Sequence, residues 1–294
     1  MSRSDHAVHF TVAASTRAAI LLHIILSFCL SDSALAFSFT PRSWSSSAAH
    51  LIEHIKSPQL QITPLSDITN TRIPGPDGVE ILAYTAKPSP AGGNGNTIIL
   101  LHEFFGLNPS IVEKADMIAE DLGCTVVAPD TFRGVVTDFI PKAIWLALST
   151  PQDRVNDDLD AVCSYLGVES TTTTNKLAVI GFCYGGGKAI RYTTQRRSDA
   201  ATVIFYGSPV IDDELQKLNA PVCGIFGDRD AQFSKNLLDQ FQSSLDEAGV
   251  ENDVRVYEGV GHAFWTDVNQ ARRGDQPQTD AYAQCTTFLR KFFS

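Results

Sequence analysis

Short apolar runs alternate with amphipathic stretches along most of the chain. Residues 97–101 and 222–226 are apolar at nearly every position, which is typical of strands buried on both faces of a sheet. Between such runs, residues 110–122 carry apolar side chains at helical spacing, and Gly123 follows at a position suited to end a helix. The pattern therefore predicts strands that alternate with helices.

The same alternation continues to the end of the chain. Strands are predicted over 79–87, 97–101, 124–128, 177–180, 201–205, 222–226 and 253–257. Helices are predicted over 110–122, 141–148, 151–166, from 184 onward, 235–248 and 279–292. Strands that alternate with helices form a mainly parallel sheet with helices on both faces. No linker divides this region, so we expect a single α/β domain over residues 57–294.

The first 56 residues have a different character, and we interpret them as a targeting segment. An apolar run over 18–30 follows Arg17 and precedes Ala34-Leu35-Ala36, so a signal peptide is expected over about residues 1–36. The Ser-rich tract after it resembles the second part of a two-part plastid presequence. Plastid import is therefore expected, with secretion as the alternative. The run is too short for a comfortable membrane span, and we expect none in the mature protein.

Composition narrows the class of partner. The chain of 294 residues has 23 Lys and Arg against 33 Asp and Glu, and its net charge is −10. Because it also lacks a basic stripe, nucleic acid is not expected as a partner. The cysteines have neither zinc-site nor redox spacing, so neither metal nor cofactor is expected. The pattern leaves the oligomeric state open, with a monomer favoured.

One cysteine stands apart from the others because of its neighbours. Residues 181–185, Gly-Phe-Cys-Tyr-Gly, lie between a predicted strand and a helix and match the G-x-S-x-G nucleophile elbow, with Cys183 in the serine position. Glycines are needed there because the turn brings backbone segments too close for a Cβ, and a helix N-terminus favours a thiolate. A small packed cysteine is the alternative, but the additional Gly186 and Gly187 favour a nucleophile.

A cysteine nucleophile needs a histidine to move its proton and an acid to orient that histidine. In hydrolases with such an elbow, the acid and then the histidine follow the nucleophile along the chain. His262 lies in a glycine-containing loop after the last predicted strand, and Asp228 and Asp230 follow the strand before it. Either aspartate could instead form a turn, so these residues leave the choice of acid open.

Four motifs, in this order, resemble those of the dienelactone hydrolase family, the carboxymethylenebutenolidases. They are residues 102–108 (HEFFGLN), 181–186 (GFCYGG), 227–230 (GDRD) and 262–264 (HAF). The resemblance extends from about Ile73 to the C-terminus. It implies an α/β-hydrolase fold that hydrolyses ester or lactone bonds of dienelactone-like small molecules.

The resemblance also implies roles for individual residues. It favours a catalytic triad of Cys183, His262 and Asp230. It further implies that Glu103 pairs with the resting cysteine and is displaced when substrate binds. A carboxylate in that position would compete with His262 for the thiol proton.

The resemblance assigns the oxyanion hole to backbone groups. The N–H groups of Tyr184, which follows the nucleophile, and of Phe104, which follows Glu103, are the expected donors. Such preorganised donors stabilise a tetrahedral oxyanion by a few kcal/mol.

Substrate recognition is where the chain departs from the family. The type member has an arginine beyond the Pro-Asp pair that follows a strand, and here Arg133 lies one place out of register. A second arginine, four residues after the histidine, is replaced by Thr266. Arg133 and Trp265 remain the expected substrate contacts, although Trp265 could instead be a core aromatic. A thioesterase and a non-catalytic small-molecule-binding protein are the alternative functions.

Overall fold

Eight strands form one sheet in the part of the chain that the structure, a computed structural model, describes, residues 63–88, 93–169, 175–211 and 213–294. The strands are β1 (Thr71–Pro74), β2 (Glu80–Ala86), β3 (Thr97–Leu101), β4 (Thr125–Pro129), β5 (Leu177–Phe182), β6 (Ala201–Phe205), β7 (Val222–Gly227) and β8 (Asn252–Tyr257). Their order in the sheet is β1-β2-β4-β3-β5-β6-β7-β8. The β1–β2 and β2–β4 pairs are antiparallel, and all later pairs are parallel.

The α-helices lie before β1, between successive strands from β3 onward except β6 and β7, and after β8. They are α1 (Leu65–Ile68), α2 (Pro109–Leu122), α3 (Ile140–Ser149), α4 (Gln152–Leu166), α5 (Tyr184–Gln195), α6 (Lys235–Glu247), α7 (Val268–Arg273) and α8 (Gln278–Phe293). The ends of α2 show why the sequence starts and stops there. The Asn108 side chain accepts a hydrogen bond from the Ile111 N–H at 3.3 Å, and Gly123 ends the helix at φ 62°.

Both faces of the sheet are buried, as the apolar runs predicted. Ile98 and Leu100 of β3 belong to a core shared with α2 and α8, whereas Ile99 and Leu101 belong to a core shared with α4 and α5. Successive side chains of a strand point to opposite faces, so a strand covered on both sides must be apolar throughout. The predicted α/β fold is confirmed.

The sequence interpretation missed the smallest elements, β1, α1 and α7. β1 buries only Ile73 of its four residues, so it carries too little periodicity to be recognised. Residues Gln61–Ser294 form one compact unit. The expected targeting segment, residues 1–56, lies outside the described residues. Among the described residues, no helix is long and apolar enough to cross a membrane.

Candidate active site

The elbow residue Cys183 lies between β5 and α5 in a strained backbone conformation. Its φ of 52° and ψ of −115° turn the chain sharply, and its N–H donates to the Phe205 carbonyl at 2.9 Å. A Cβ on Gly181 would lie 2.1 Å from the Gly185 oxygen, and a Cβ on Gly185 would lie 2.4 Å from the Leu101 oxygen. Real Cβ atoms do not approach that closely, which explains why both positions are glycine.

Three side chains, each from the loop after a different strand, form one chain of hydrogen bonds. The Cys183 sulfur lies 3.0 Å from Nε2 of His262, and Nδ1 of His262 lies 2.7 Å from Oδ2 of Asp230. The other oxygen of Asp230 accepts a hydrogen bond from the Gln232 N–H at 2.8 Å. Asp230 is buried, so its orientation is fixed on both sides. This is the geometry of a nucleophile, a proton carrier and an orienting acid.

The structure brings Asp230 and not Asp228 to the histidine. Asp228 is exposed, and its carboxylate accepts a hydrogen bond from the Gly259 N–H at 2.7 Å. That contact ties the loop after β7 to the loop after β8, which carries His262. Asp228 thus has the turn-forming role that the sequence had left open for either aspartate.

Electrostatics favour a charged His262. Burial alone would lower its pKa, but the negative charge of the Cys183 thiolate and the hydrogen bond with Asp230 outweigh burial and raise the pKa well above its usual range. Cys183 also precedes the first turn of α5, where the helix dipole stabilises negative charge. The contacts of His262 therefore favour its protonated form.

Glu103 lies in the loop after β3, and its carboxylate is hydrogen-bonded to Tyr206 and not to the Cys183 thiol. The Tyr206 hydroxyl donates to Oε1 of Glu103 at 3.2 Å, and Cys183 is hydrogen-bonded to His262. The resting pair that the resemblance implied, Glu103 on Cys183, differs from this arrangement, in which the Cys183 sulfur is bonded to His262. Tyr206 is buried, and its ring meets the His262 ring edge to face at 5.5 Å between centroids.

The two expected oxyanion donors lie on segments that approach each other closely. Tyr184 is the first residue of α5, so its N–H has no acceptor within the helix. Phe104 lies in the loop after β3 and is buried. The backbone of Gly185, next to Tyr184, packs directly on the carbonyls of Leu101 and His102 at the end of β3. Tyr184 directly follows Cys183, and the end of β3 that leads to Phe104 packs against the next residue, Gly185.

Arg133 is engaged in ion pairs rather than left open for a ligand. Its guanidinium is held by two carboxylates, with Nε donating to Asp158 at 3.1 Å and Nη1 bonded to Asp77. The Asp158 side chain is 1% exposed and that of Arg133 is 12% exposed, so this is a largely buried ion pair. Binding a substrate carboxylate through Arg133 would require breaking it.

Trp265 is a core residue in this structure. It is fully buried against Phe182 and Phe205, with ring centroids 5.8 Å and 5.4 Å away, and its indole N–H donates to the Asp267 carbonyl at 3.0 Å. The Lys114 ammonium lies 5.5 Å from the Trp265 ring centroid. The structure therefore supports the interpretation of Trp265 as a core aromatic residue and not as a substrate contact.

Sequence reasoning missed two side chains next to the site, His102 and Tyr206. Both directly follow a buried strand at the carboxyl edge of the sheet, where reactive groups of parallel sheets gather. That position is the signal that could have found them. Among the described residues, no group of three or more His, Cys, Asp or Glu side chains is placed to hold a metal ion.

The parallel sheet, the strained elbow and the acid and histidine from later strands define an α/β-hydrolase. The sequence profile of the family described as "Dienelactone hydrolase family" matches residues 81–293. The chain belongs to the dienelactone hydrolase family, as its motifs predicted.

Relatives support this assignment over most of their length. A protein of Methylorubrum extorquens named "Putative carboxymethylenebutenolidase" is 28% identical over 236 residues, which cover 75% of this chain and 80% of the relative. "Protein usf" of Aquifex pyrophilus is 28% identical over 74% of this chain and 96% of its own length. The crystal structure called "Putative Dienelactone Hydrolase", from Klebsiella pneumoniae, superposes with a TM-score of 0.63 at 27% identity, covering 76% of this chain and 96% of that one.

Proposed function

We propose that this protein hydrolyses ester or lactone bonds of small molecules through a covalent intermediate on Cys183. The observation that carries the proposal is the unbroken line from the Cys183 sulfur to Nε2 of His262 at 3.0 Å and from Nδ1 to Asp230 at 2.7 Å. Two relatives also support the proposal, because one is named a putative carboxymethylenebutenolidase and the other a putative dienelactone hydrolase.

In the first half of the reaction, the Cys183 thiolate attacks the carbonyl carbon. A C–S bond forms, and the carbonyl electron pair moves to oxygen, where the N–H groups of Phe104 and Tyr184 stabilise the oxyanion. When the oxyanion collapses, the C–O bond to the leaving group breaks. The leaving oxygen takes the proton from Nε2 of His262, and a thioester on Cys183 remains.

In the second half, water replaces the leaving group. His262 accepts a proton from water as the water oxygen attacks the thioester carbon. Collapse of the second tetrahedral intermediate breaks the C–S bond and releases the carboxylic acid, and the thiolate–imidazolium pair is restored. Asp230 holds the imidazole ring throughout and stabilises its charged form.

Glu103 has a regulatory place in this proposal. While the Glu103 carboxylate accepts a hydrogen bond from Tyr206, the Cys183 sulfur is hydrogen-bonded to His262. A movement of Glu103 onto the thiol would compete with His262 for the sulfur proton and lower the reactivity of the nucleophile. Glu103 therefore governs how much of the enzyme is ready to react.

The proposed substrates are esters and lactones that do not depend on Arg133 for binding. That guanidinium is already paired with Asp158 and Asp77, so a substrate carboxylate would find it occupied. Thioester hydrolysis would use the same steps, and non-catalytic binding of a small molecule would use none of them. The choice of substrates in the screen below separates esters from thioesters, and a parent inactive on all of them would point to non-catalytic binding.

A hydrolysis screen of lactones, aryl esters and thioesters tests the proposal. Cys183→Ala is expected to lower kcat/KM by at least about a thousandfold, because no other group can form the acyl intermediate. Cys285→Ala, which alters a fully buried cysteine on α8, is the matched control and should keep the parent's activity. Hydrolysis that survives in Cys183→Ala would exclude the mechanism, and a parent inactive on every compound would favour the binding protein.

A further inference from the structure

His102 is a buried polar side chain that the proposed reaction leaves without a role. It follows β3 directly, is 0% exposed, and forms hydrogen bonds through both ring nitrogens. Nδ1 lies 2.7 Å from the carbonyl oxygen of Glu103, and Nε2 lies 3.2 Å from the Thr131 backbone nitrogen. Buried polar groups with a full set of partners fix local geometry, so we considered which atoms His102 orients.

The partners of His102 determine its tautomer. A carbonyl oxygen can only accept, so Nδ1 carries the proton and donates it to Glu103. A backbone N–H can only donate, so Nε2 is bare and accepts from Thr131. Burial lowers the pKa of the imidazole and outweighs the attraction of the buried Asp130 carboxylate, 3.8 Å from Nε2, which agrees with the neutral ring that these bonds require.

The bond to Glu103 orients an oxyanion donor. The Glu103 carbonyl and the Phe104 N–H belong to the same peptide unit, which is planar and trans. In such a unit the C=O and the N–H point in opposite directions. Holding the oxygen from one side therefore aims the Phe104 N–H to the other side. The Gly106 N–H also donates to this oxygen, at 3.1 Å, so His102 supplies one of two restraints.

Through Thr131, Nε2 of His102 is linked to Tyr184, the residue whose N–H is the second oxyanion donor. The Thr131 hydroxyl lies 2.9 Å from Nε2 of His102 and 3.3 Å from the Tyr184 hydroxyl. The rings of His102 and Tyr184 are also stacked, with 19° between their planes. A chain of hydrogen bonds and one ring contact thus join the residue after the nucleophile to the peptide that carries the Phe104 N–H.

We propose that His102 is a positioning residue that sets the N–H groups of Phe104 and Tyr184 at the spacing an oxyanion requires. This inference rests on the proposed function, because it needs a carbonyl substrate whose oxygen becomes charged. His102 touches neither the substrate nor the sulfur, and acts through the Glu103–Phe104 peptide and through Tyr184.

A pair of variants tests this role. His102→Phe keeps a ring to pack on Tyr184 but removes both nitrogens. His102→Asn places an amide N–H near the position of Nδ1, and so retains a donor for the Glu103 carbonyl. We expect His102→Phe to lower kcat for an aryl ester by about tenfold to a hundredfold, less than the loss of a whole oxyanion donor, while KM changes little. His102→Asn is expected to regain most of the lost kcat.

Alkylation of Cys183 by iodoacetamide provides the readout that a merely structural role would not give. This reaction uses the thiolate but forms no oxyanion, so its rate should be the same in His102→Phe and the parent. The inference is overturned if hydrolysis by His102→Phe equals that of the parent, if alkylation falls as much as hydrolysis, or if His102→Asn is as impaired as His102→Phe. The proposed function fails separately, if Cys183→Ala remains active.

Discussion

Two histidines of the candidate active site have pKa values that are shifted in opposite directions. His262 comes from the loop after β8, and its contacts with Cys183 and with Asp230 raise its pKa. His102 follows β3, has no exposed surface, and its burial lowers its pKa. The first ring is suited to carry a proton between reacting atoms, and the second is suited to remain neutral.

The difference lies in the partners and not in the residue type. His262 has the Asp230 carboxylate on one nitrogen and the Cys183 sulfur on the other, so a proton that moves from sulfur to Nε2 leaves the ring between two negative groups. His102 has a carbonyl acceptor on one nitrogen and a backbone donor on the other, so a second proton would face the Thr131 N–H. The buried Asp130 carboxylate, 3.8 Å from Nε2, would attract that proton, but burial outweighs it and lowers the pKa. A protonation change is therefore favoured at one site and opposed at the other.

The largest expected effect comes from removing the acid beside His262. Asp230→Asn keeps the size of the side chain but removes its charge, so the imidazolium loses its stabilising partner and its fixed tautomer. We expect kcat/KM to fall by about a hundredfold to ten-thousandfold in an ester hydrolysis assay.

Asp228→Asn is the matched control for that variant. It lies two residues away on the same loop, and its only role in the contacts described above is to accept from the Gly259 N–H. Its activity should stay within about threefold of the parent. Equal losses in the two variants would show that loop structure, and not the orientation of His262, explains the effect.

Arg133→Ala, a variant close to the Thr131 partner of His102, is expected to lower activity less than Asp230→Asn and to lower stability more. Arg133 lies two residues after Thr131, and Arg133→Ala would leave the buried Asp158 carboxylate without its cation. Breaking a buried pair in this way costs about 3–5 kcal/mol, measurable by denaturant unfolding. Arg72→Ala removes an exposed pair with Glu80 and should cost no more than about 1 kcal/mol.

The same variant tests substrate binding. If Arg133 is structural, Arg133→Ala should lower the hydrolysis of neutral esters and anionic lactones by similar factors. A selective loss of activity toward anionic lactones would place Arg133 on the substrate carboxylate, and would contradict its assignment to the ion pair with Asp158.

Local sequence chemistry predicted the fold and the elbow well. Two-sided burial of β3 and β5 is visible as unbroken apolar runs, and the glycines at 181 and 185 follow from backbone contacts within a known turn. These features are decided by neighbours in sequence or by one standard packing arrangement, so a single chain is enough to recognise them.

Features decided by distant partners were less accessible. Arg133 lies one place out of register with a substrate-binding position of the family, and its carboxylate partners are Asp77 and Asp158, which lie 56 and 25 residues away. His102 was visible within a motif, and its role depends on the backbone of Thr131, 29 residues further on. Long-range pairings of this kind leave no periodicity in the sequence.

The central claim is that Cys183 and His262 form a reactive thiolate–imidazolium pair, and the pH dependence of alkylation tests it most directly. The rate of iodoacetamide reaction at Cys183 would be followed by mass spectrometry in the parent and in His262→Ala. An isolated cysteine reacts mainly above a pH of about 8.5, whereas a thiolate that has given its proton to His262 is available at lower pH. We predict that the midpoint of the rate profile lies at least about one pH unit lower in the parent than in His262→Ala. Coincident profiles would contradict the ion pair and with it the proposed nucleophile.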